Sequence, residues 1–336
     1  MKNLYYYQIK EDGTACLLRC FGESPKVLVP EKIDGCLLSE IGPYCFAANA
    51  HLDGKAYRKS ACSREDSLLL TEQAGRYLQS VSLPDGIKKI GAYAFYGCRC
   101  LKEISTGQGV EEAENDVFMN CTSLWRIIVR GSIRQASGLK LYLAQISWNL
   151  QVDFMLPETD DGPEIREASL LFPEYLEYYD EIGPAHVFEL QIEGEGFRAR
   201  KAFDGGILNL AEYDSIFPKA SVEEKEETVC PMALLRCLYP AGLSEERRQQ
   251  YGAYLKDHQQ KAAQLLCFPK EGEREADYLE KLERLIAEGL LEKPALEELL
   301  ALSAEREEAE LCAALIRFRR IYFAAANRKK RYSFDD

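Results

Sequence analysis

The sequence lacks any long apolar run and any start typical of an exported protein. No stretch approaches the ~20 consecutive apolar residues with which a helix spans a bilayer. A signal peptide has a basic start followed by about 7–15 apolar residues, whereas Gln8, Lys10 and Glu11 interrupt the N-terminal MKNLYYYQIKEDG. We therefore expect a cytoplasmic protein with no membrane segment.

Positive charge is also in short supply. The 336 residues include 42 Lys and Arg against 55 Asp and Glu, which gives a net charge of -13. Because phosphate contacts require a surplus of Lys and Arg, this balance argues against a general nucleic-acid binder. Hydrophobic residues make up 46% of the chain, an ordinary share for a globular protein, and the length predicts two or three domains.

Candidate metal ligands are few and scattered. The three histidines, His51, His186 and His258, are far apart, and the twelve cysteines form no CxxC pair. A structural zinc site usually takes its ligands in closely spaced pairs. We therefore predict no metal site, and we interpret the cysteines as reduced thiols that fill the core.

Signatures of catalysis and of cofactor binding are missing as well. The sequence contains no G-x-S-x-G elbow and no GxxxxGK[ST] loop, and the glycines of GQG (107–109) and EGEG (193–196) lack the spacing of a dinucleotide fingerprint. We predict no catalytic residue and no cofactor. An enzyme whose active site lies between domains remains an alternative, since pockets often form there.

A repeat is what the sequence does contain. Phe95 and Phe118 are 23 residues apart, as are Cys98 and Cys121, and the shared pattern is roughly L-x-x-I-x-L-P-x-x-I-x-x-I-G-x-x-A-F-x-x-C-x-x-L. Each unit is too short to bury its own apolar edge, so the units are expected to stack as a solenoid. The units are residues 27–52, 78–101, 101–124 and a partial unit at 124–131.

Each position of the unit has a physical explanation. Aliphatic residues such as Val81 suit a short strand, which Pro84 ends because proline cannot donate to a strand ladder. Gly86 and Gly91 permit tight turns, and Cys98 fills a narrow site before the next strand. The side chains predicted to point into the core are Ile87, Ile90, Ala94 and Phe95.

Two stretches, LPDGIKKIGAYAFYGCRCL (83–101) and VFMNCTSLWRIIV (117–129), resemble the BspA-like leucine-rich repeat family. The resemblance covers about residues 25–131 and implies a short solenoid with parallel strands. It also implies a binding role, because the family is chiefly known for cell-surface and adhesion-type binding. The chain departs from the family pattern at Gly107, where proline is usual, and at Ala113, which replaces an isoleucine.

Two further features accompany the repeats. Residues 4–9 and 14–21 predict a β-hairpin around an Asp-Gly turn, which would cap the N-terminal edge of the solenoid. Phe46 and Phe95 are 49 residues apart rather than 23, so an insertion at 53–77 interrupts the array. Insertions in repeat proteins often form a binding face, and a loop without function is the other interpretation.

Residues 132–222 lose the repeat and predict a small α+β module packed on the C-terminal edge of the solenoid. The glycines of EGEG (193–196) predict a hairpin turn, and residues 173–183 indicate a helical or irregular segment. The predicted strands are 150–156, 186–192 and 196–203, and the predicted short helix is 210–218.

The last third changes to a helical period and predicts an all-α helical repeat domain over residues 223–326. Pro231 suits a first helical turn, Ser244 an N-cap and Gly289 a helix terminator. The paired helices resemble ankyrin-like units but lack the T-P-L-H signature of that family. The predicted helical segments are 231–240, 244–268, 274–291 and two within 293–323.

Basic side chains gather in the last helix and in a tail over residues 327–336. They predict contact with an acidic partner or with nucleic acid. The alternative is that these cations face the negative end of their own helix, or pair with the otherwise acidic chain. The candidate partner-binding residues are Arg317, Arg320, Arg328, Lys329, Lys330 and Arg331.

Together these features predict an α+β multidomain protein. Two repeat regions provide extended surfaces, so the predicted function is a non-enzymatic protein–protein interaction scaffold with an unknown protein partner. The alternatives are the inter-domain enzyme and a weak nucleic-acid or acidic-partner binder that uses the tail. The predicted parts are a leucine-rich-repeat solenoid at 1–131, the α+β module at 132–222, the helical repeat domain at 223–326 and the tail at 327–336.

Overall fold

The chain divides into two compact units, Met1–Tyr213 and Asp214–Asp336. All of the described strands lie in the first unit, and the second is built from helices. The architecture is therefore the predicted α+β multidomain one, with an N-terminal β-solenoid and a C-terminal helical region. The structure is a computed structural model that describes residues 3–48, 52, 56–61, 69–158, 163–182, 186–269 and 274–323.

The strands of the first unit are short, as expected for coils of this repeat length. In chain order they are β1 (Asn3–Ile9), β2 (Ala15–Gly22), β3 (Lys26–Leu28), β4 (Lys32–Ile33), β5 (Cys36–Ile41), β6 (Arg58–Lys59), β7 (Thr71–Glu72), β8 (Ser80–Ser82), β9 (Lys89–Ile90), β10 (Glu103–Gly107), β11 (Glu112–Ala113), β12 (Arg126–Arg130), β13 (Leu150–Leu156), β14 (Ile165–Phe172), β15 (Leu176–Ile182), β16 (Val187–Glu193), β17 (Phe203–Asp204) and β18 (Ile207–Leu208).

A six-stranded sheet forms one wall of the solenoid. Its order is β14-β13-β12-β10-β8-β3, and the ladder from β3 to β13 is parallel. Ser80 pairs with Glu103, and Glu103 pairs with Arg126, so neighbouring strands are offset by one repeat unit. The predicted parallel-stranded solenoid is confirmed.

A second sheet forms the opposite wall and includes the N-terminal hairpin. Its main path is β11-β9-β5-β2-β1-β6. Strands β1 and β2 pair antiparallel, and β2 continues in parallel onto β5. The hairpin therefore covers the N-terminal edge of the stacked coils, as the sequence predicts, because an open edge would expose unpaired N–H and C=O groups.

The first coil is longer than the others. Val27 pairs with Val81, which is 54 residues later, whereas Phe46 stacks on Phe95, which is 49 residues later. The five additional residues form the small hairpin of β4 and β5, which turns at Asp34 and Gly35. Both turn residues have a positive φ, 47° and 85°, and such turns match the twist of the strands that they join.

Stacked aromatic rings fill the centre of the solenoid. The Phe46 and Phe95 ring centroids lie 5.0 Å apart, the Phe95 and Phe118 centroids 5.7 Å apart, and Tyr142 ends the column edge-on against Phe118. All four side chains are buried. The residues predicted to point inward from the coil at 78–101 are confirmed as buried: Ile87, Ile90, Ala94 and Phe95.

Each repeat cysteine ties its coil to the one before. The Cys98 thiol donates to the Phe46 carbonyl over 3.2 Å, and the Cys121 thiol donates to the Phe95 carbonyl over 3.1 Å. Both thiols are fully buried. The cysteines therefore occupy the narrow core site that the sequence predicts, and each thiol adds a second hydrogen bond to a carbonyl that already accepts a backbone N–H.

The glycines of the coil have a role other than the predicted one. Neither Gly86 nor Gly91 has a positive φ; the left-handed residues of successive coils are Tyr44, Tyr93 and Asp116, with φ near 56°, 58° and 55°. A Cβ on Gly91 would lie 2.5 Å from the backbone nitrogen of the preceding coil's proline. Gly91 is therefore required by the close approach of two coils and not by a turn.

The insertion at 53–77 contributes strands to the N-terminal hairpin. Strand β6 pairs with β1, and β7 pairs with β2, both antiparallel. Residues 62–68 of the insertion lie outside the described part of the chain.

Residues 132–222 extend the solenoid sheet. Strand β13 pairs in parallel with β12, and β14 adds antiparallel to β13, so this segment continues the six-stranded sheet. The short helices here are α1 (Leu139–Leu143), α2 (Gly196–Ala199) and α3 (Leu210–Ser215). Separate folding of a domain with boundaries at 131 and 222 stays a prediction.

Three predictions for this segment are wrong. Residues 173–183 contain strand β15 rather than a helix, and 196–203 contain α2 rather than a strand. The partner of β16 is accordingly β15 and not the chain that follows EGEG. The cause is tertiary: Arg200 is buried and donates to the carbonyls of Ile146, Trp148, Pro173 and Gly196, which fixes the chain after Gly196 as a helical turn.

The second unit is helical across its described residues, as predicted. Ser244 accepts a hydrogen bond from the Arg247 N–H and caps its helix, and Gly289 follows its helix with a φ of 71°. The helices are α4 (Phe217–Glu223), α5 (Glu226–Leu238), α6 (Glu245–Asp257), α7 (Gln259–Cys267), α8 (Tyr278–Ala287), α9 (Lys293–Glu305) and α10 (Ala309–Phe318), followed by a π-helical turn at Arg319–Phe323.

Two details of the helices differ from the expectation. Pro231 lies inside α5, beyond the first turn, because the helix starts earlier, at Glu226. Residues 244–268 form two helices that meet at His258 instead of one. Residues 219–229, which span the predicted boundary at 222, form the end of α4 and the beginning of α5.

A buried ion pair lies at the centre of the helical unit. The fully buried Arg236 guanidinium contacts both carboxylate oxygens of Asp214 at 2.8 Å, and the Tyr251 hydroxyl donates to Asp214 at 2.9 Å. Arg236 also donates to the carbonyls of Tyr239 and Ala241 over 3.2 Å. The charges are thus paired and their hydrogen bonds are filled, which is the condition under which ions are tolerated in a core.

Candidate interaction surface

The solvent side of the six-stranded sheet presents aligned polar side chains. Along β8, β10 and β12, buried Val81, Ile104 and Ile127 alternate with residues that point away from the core. Because the strands are in register, outward residues of successive coils lie side by side. We call this surface the outer face; it comprises Ser80, Ser82, Glu103, Ser105, Arg126, Ile128, Arg130, Gln151, Asp153 and Ser169.

One half of the outer face is organised around Asp153. This carboxylate is fully buried, yet it accepts hydrogen bonds from Arg126 Nε at 2.5 Å, from Gln151 Nε2 at 3.2 Å and from the Ser169 hydroxyl. Arg126 also contacts Glu103 at 3.1 Å, and Arg166 Nε lies 4.0 Å from Asp153. The network holds the Arg126 guanidinium in one orientation at the surface.

The other half depends on Arg130, which reaches across two neighbouring strands. Its guanidinium donates to Ser105 Oγ at 2.6 Å, to Ser82 Oγ at 3.3 Å and to Asp85 Oδ1 at 2.7 Å. A Cβ on Gly107 would lie 2.7 Å from Asp85 Cα. The departure from the family pattern at Gly107 therefore makes room for Asp85, which holds Arg130.

The charged side chains of the outer face are held in fixed positions. Its guanidiniums are fixed donors with 13% and 25% of the Arg126 and Arg130 side chains exposed, and each is balanced by a carboxylate. Across the described residues, no group of three or more His, Cys, Asp or Glu side chains is placed to hold a metal ion. Fixed, charge-balanced polar groups are typical of surfaces that select a partner.

Burial raises the pKa of four described cysteines. Desolvation raises the pKa of Cys20, Cys230, Cys237 and Cys267 to about 12. Because a thiol attacks as the thiolate, a raised pKa lowers its reactivity. The burial of these four side chains is consistent with a role in packing.

The predicted partner-binding residues fall partly within the described chain. Arg317 lies at the end of α10 with 61% of its side chain exposed; it stands 3.8 Å from Glu283 and packs over the Phe318 ring. Arg320 is exposed in the turn that follows. Arg328, Lys329, Lys330 and Arg331 lie outside the described residues, so partner binding by this set stays a prediction.

The sequence points to the solenoid strands and the 53–77 insertion as the candidate surface, but it does not identify the residues of the outer face. The repeat pattern weighed the apolar positions that are shared between coils, whereas Arg126, Arg130 and Asp153 occupy the variable positions between them. The available signal was the alternation of strand residues, which places every second side chain of RIIVR (126–130) outside the core. Asp153 could not be identified from the sequence, because its strand, β13, lies beyond the last recognisable repeat.

Comparison with known proteins identifies the repeats. Residues 74–142 match the family model described as a BspA type leucine rich repeat region, in six copies. The coils within residues 74–142 are BspA-type leucine-rich repeats. The resemblance found in the sequence is thereby confirmed for these residues, and the match extends past residue 131 to residue 142, within α1.

Three solved structures of leucine-rich repeat proteins are similar to part of the chain. A Treponema protein, given as T. pallidum leucine rich repeat protein, is 24% identical with a TM-score of 0.27 and covers 37% of this chain and 49% of its own. A leucine rich cell surface protein from Faecalibacterium prausnitzii A2-165 is 18% identical with a TM-score of 0.25, covering 37% and 35%. A leucine-rich repeat protein from Bacteroides capillosus ATCC 29799 is also 18% identical, with a TM-score of 0.25, covering 38% and 94%.

This chain thus spans less than half of the first two solved structures. No curated protein shows significant similarity to it. Among the described helices, none combines the length and the apolar character needed to cross a membrane.

Proposed function

We propose that this chain is a protein-interaction scaffold whose partner binds the outer face of the BspA-type repeats. The observation that carries the proposal is the in-register ladder from β8 to β13, which places outward side chains of successive coils on one continuous surface. Extended surfaces of this kind are what repeat proteins use to bind other proteins.

The chemistry of the outer face supports a protein partner. Arg126 and Arg130 are held by carboxylates and hydroxyls, so little side-chain entropy is lost when a partner contacts them. Ile128 lies between them as a half-exposed apolar residue. A central apolar contact flanked by fixed polar groups is a common arrangement in protein interfaces.

The proposal is tested by photo-crosslinking in native lysate. A photoreactive amino acid replaces Ile128 in the full chain, and a control chain carries it at Val222, an exposed position on α4. We expect one protein to be crosslinked from position 128 and not from position 222. Capture of that protein should be lost in Arg130→Ala and retained in Val222→Ala.

Two results would contradict this function. The first is recovery of the same proteins from both positions, which indicates nonspecific contact. The second is that no protein is enriched from position 128 over an acidic control protein of matched charge, which removes the outer face as a partner surface.

A further inference from the structure

The hairpin of β15 and β16 is the most exposed regular element of the first unit. Its seven residue pairs run from Leu176 and Glu193 to Ile182 and Val187 without a bulge. The two strands form a sheet of their own, and no other described strand pairs with either. We call these strands, residues 176–182 and 187–193, the acidic hairpin.

Large apolar side chains cover the acidic hairpin although nothing described packs over them. Alternation puts Tyr179, Phe188, Leu190 and Ile192 on one side, exposed by 71%, 64%, 46% and 37%. The other side carries Leu176, Tyr178 and Val187, exposed by 65%, 42% and 54%. These seven are a third of the 21 large hydrophobic residues described as exposed, and a concentrated patch marks an interaction site where single exposed residues do not.

The charges of the acidic hairpin all have one sign. The strands LEYYDEI and VFELQIE contain five carboxylates and neither Lys nor Arg. Glu193 accepts from the Tyr178 hydroxyl, and Glu181 contacts His186. No ion pair joins Glu177, Asp180 or Glu189 to a Lys or Arg of the described residues.

The base of the acidic hairpin is fixed, in contrast to its faces. Arg200 donates to the carbonyls of Pro173, just before β15, and of Gly196, just after β16. It also donates to the Ile146 and Trp148 carbonyls of the solenoid, at 2.6 and 2.7 Å. Both ends of the hairpin are thus anchored at one guanidinium, which holds the element in a defined position for a partner.

Physical chemistry selects the kind of partner. An isolated two-stranded hairpin is marginally stable in water, so apolar cover stabilises it. A second copy of this chain would bring five carboxylates against five in a protein of net charge -13, which opposes self-pairing. A basic segment would neutralise Glu177, Asp180 and Glu189 while its apolar residues cover Tyr179 and Phe188.

We propose that the acidic hairpin is a docking arm for an apolar, lysine- or arginine-rich segment of a partner protein. The open edges of β15 and β16 allow that segment to add as a further strand, with main-chain hydrogen bonds giving affinity and side chains giving selectivity. The arm is a second binding surface, independent of the outer face.

Three synthetic peptides test the arm against the full chain. The first alternates lysine with valine, the second replaces each lysine by glutamate, and the third replaces each valine by serine. We expect the first alone to bind, with affinity that falls as salt is raised. Hydrogen exchange should slow in residues 176–182 and 187–193 on binding, because backbone N–H groups of an edge strand become paired.

Matched variants separate the apolar and the ionic contributions. Phe188→Ser with Leu190→Ser should weaken binding of the lysine–valine peptide by at least about tenfold, as expected for the loss of central apolar contacts. Glu177→Gln with Asp180→Asn should weaken it mainly at low salt. The controls are Val222→Ser, which is 83% exposed in α4, and Glu11→Gln, which is exposed in the turn after β1; both should bind like the parent chain.

Three outcomes would overturn the proposal. If the glutamate peptide binds as well as the lysine peptide, the partner need not be basic. If hydrogen exchange slows outside the acidic hairpin, the peptide binds elsewhere on the chain. A concentration-dependent dimer of the parent chain that Phe188→Ser dissociates shows that a second copy occupies the arm. Variants of Ile128 and Arg130 leave the peptide assay unchanged, so failure of the arm and failure of the outer face are distinguishable.

Discussion

Phe46 and Phe95 lie face to face, with ring centroids 5.0 Å apart and ring planes within 4° of parallel, although 49 residues separate them. Phe95 stacks in turn on Phe118, so one ring joins two neighbouring coils. The solenoid core is therefore held by contacts between coils more than within them, which is the nearest-neighbour logic of repeat proteins.

The first prediction concerns Phe95, the central ring of this column. We expect Phe95→Ala to destabilise the first unit by about 3–5 kcal/mol, because a fully buried ring leaves a cavity between two others. Both tryptophans, Trp125 and Trp148, lie in that unit, so denaturation followed by tryptophan fluorescence reports it alone. Tyr96→Ala, at an exposed neighbouring position, should cost less than about 1.5 kcal/mol. Equal losses in the two variants would contradict the stacked core.

The Arg200 anchor gives a second prediction. Burial lowers the pKa of its guanidinium to about 10, and the side chain is held by four carbonyls. Arg200→Met should destabilise the first unit by at least about 3 kcal/mol, because the carbonyls of Ile146, Trp148 and Pro173 lose their guanidinium donor at a buried site. Tryptophan fluorescence during denaturation measures the loss. Lys201→Met, the next residue in the chain and exposed, is the control and should cost under about 1 kcal/mol.

The buried ion pair of Arg236 and Asp214 in the helical unit gives a third prediction. Arg236→Met should destabilise that unit by about 3–5 kcal/mol, since it leaves the Asp214 carboxylate buried without a cation. Replacing both, Arg236→Met with Asp214→Leu, should recover part of the loss. The second unit contains no tryptophan, so circular dichroism at the helical band is the measurement. If the double variant is less stable than Arg236→Met, the contribution of Arg236 and Asp214 to stability exceeds the neutralisation of each charge by the other.

Alkaline pH gives a fourth prediction. Burial raises the pKa of Cys230, Cys237 and Cys267 from 9.0 to about 12, so the folded helical unit keeps these protons where the unfolded chain releases them. The stabilisation is complete below pH 9 and is lost as pH rises through the window toward 12. Denaturation midpoints by circular dichroism should fall across that window. The fall should be shallower when the three cysteines are replaced by alanine, and an unchanged slope would refute the assignment.

The basic tail gives the last prediction. The net charge of -13 repels the phosphate backbone of nucleic acids. We therefore expect the full chain to show no salt-dependent binding to duplex DNA. Fluorescence anisotropy with a labelled duplex measures this. If binding is seen, deletion of residues 326–336 should abolish it. Binding that survives the deletion would exclude the set formed by Arg328, Lys329, Lys330 and Arg331.

The solenoid could be predicted from the sequence because its signal repeats. A buried Phe or Cys that recurs once in every unit at a constant spacing has one structural explanation, and the strands before Pro84 follow from it. The region around Arg200 could not be predicted in the same way. Its conformation is imposed by carbonyls that are distant in sequence, from Ile146 to Gly196, and local propensity carries no trace of them.

The solenoid strands could be predicted as a candidate surface, but the individual residues of the two surfaces could not, for a related reason. The outer face needs the register of β12 against β13, and β13 lies outside the repeat pattern. Only one strand of the acidic hairpin could be predicted. Strand β16 was predicted but β15 was not, because the acidic residues of LEYYDEI are typical of a solvated helix while its tyrosines are typical of a strand. Only the pairing of the two strands reveals which apolar residues share a side.

The 54-residue offset between β3 and β8 has a consequence for the order of folding. The coils from β8 to β12 join partners that are one repeat unit apart, whereas the first coil must close a loop more than twice as long. By loop-closure entropy alone the longer loop costs about 0.8 kcal/mol more, and contacts distant in sequence form late. We therefore expect the middle coils to assemble first, with the N-terminal hairpin arriving afterwards as the closing piece.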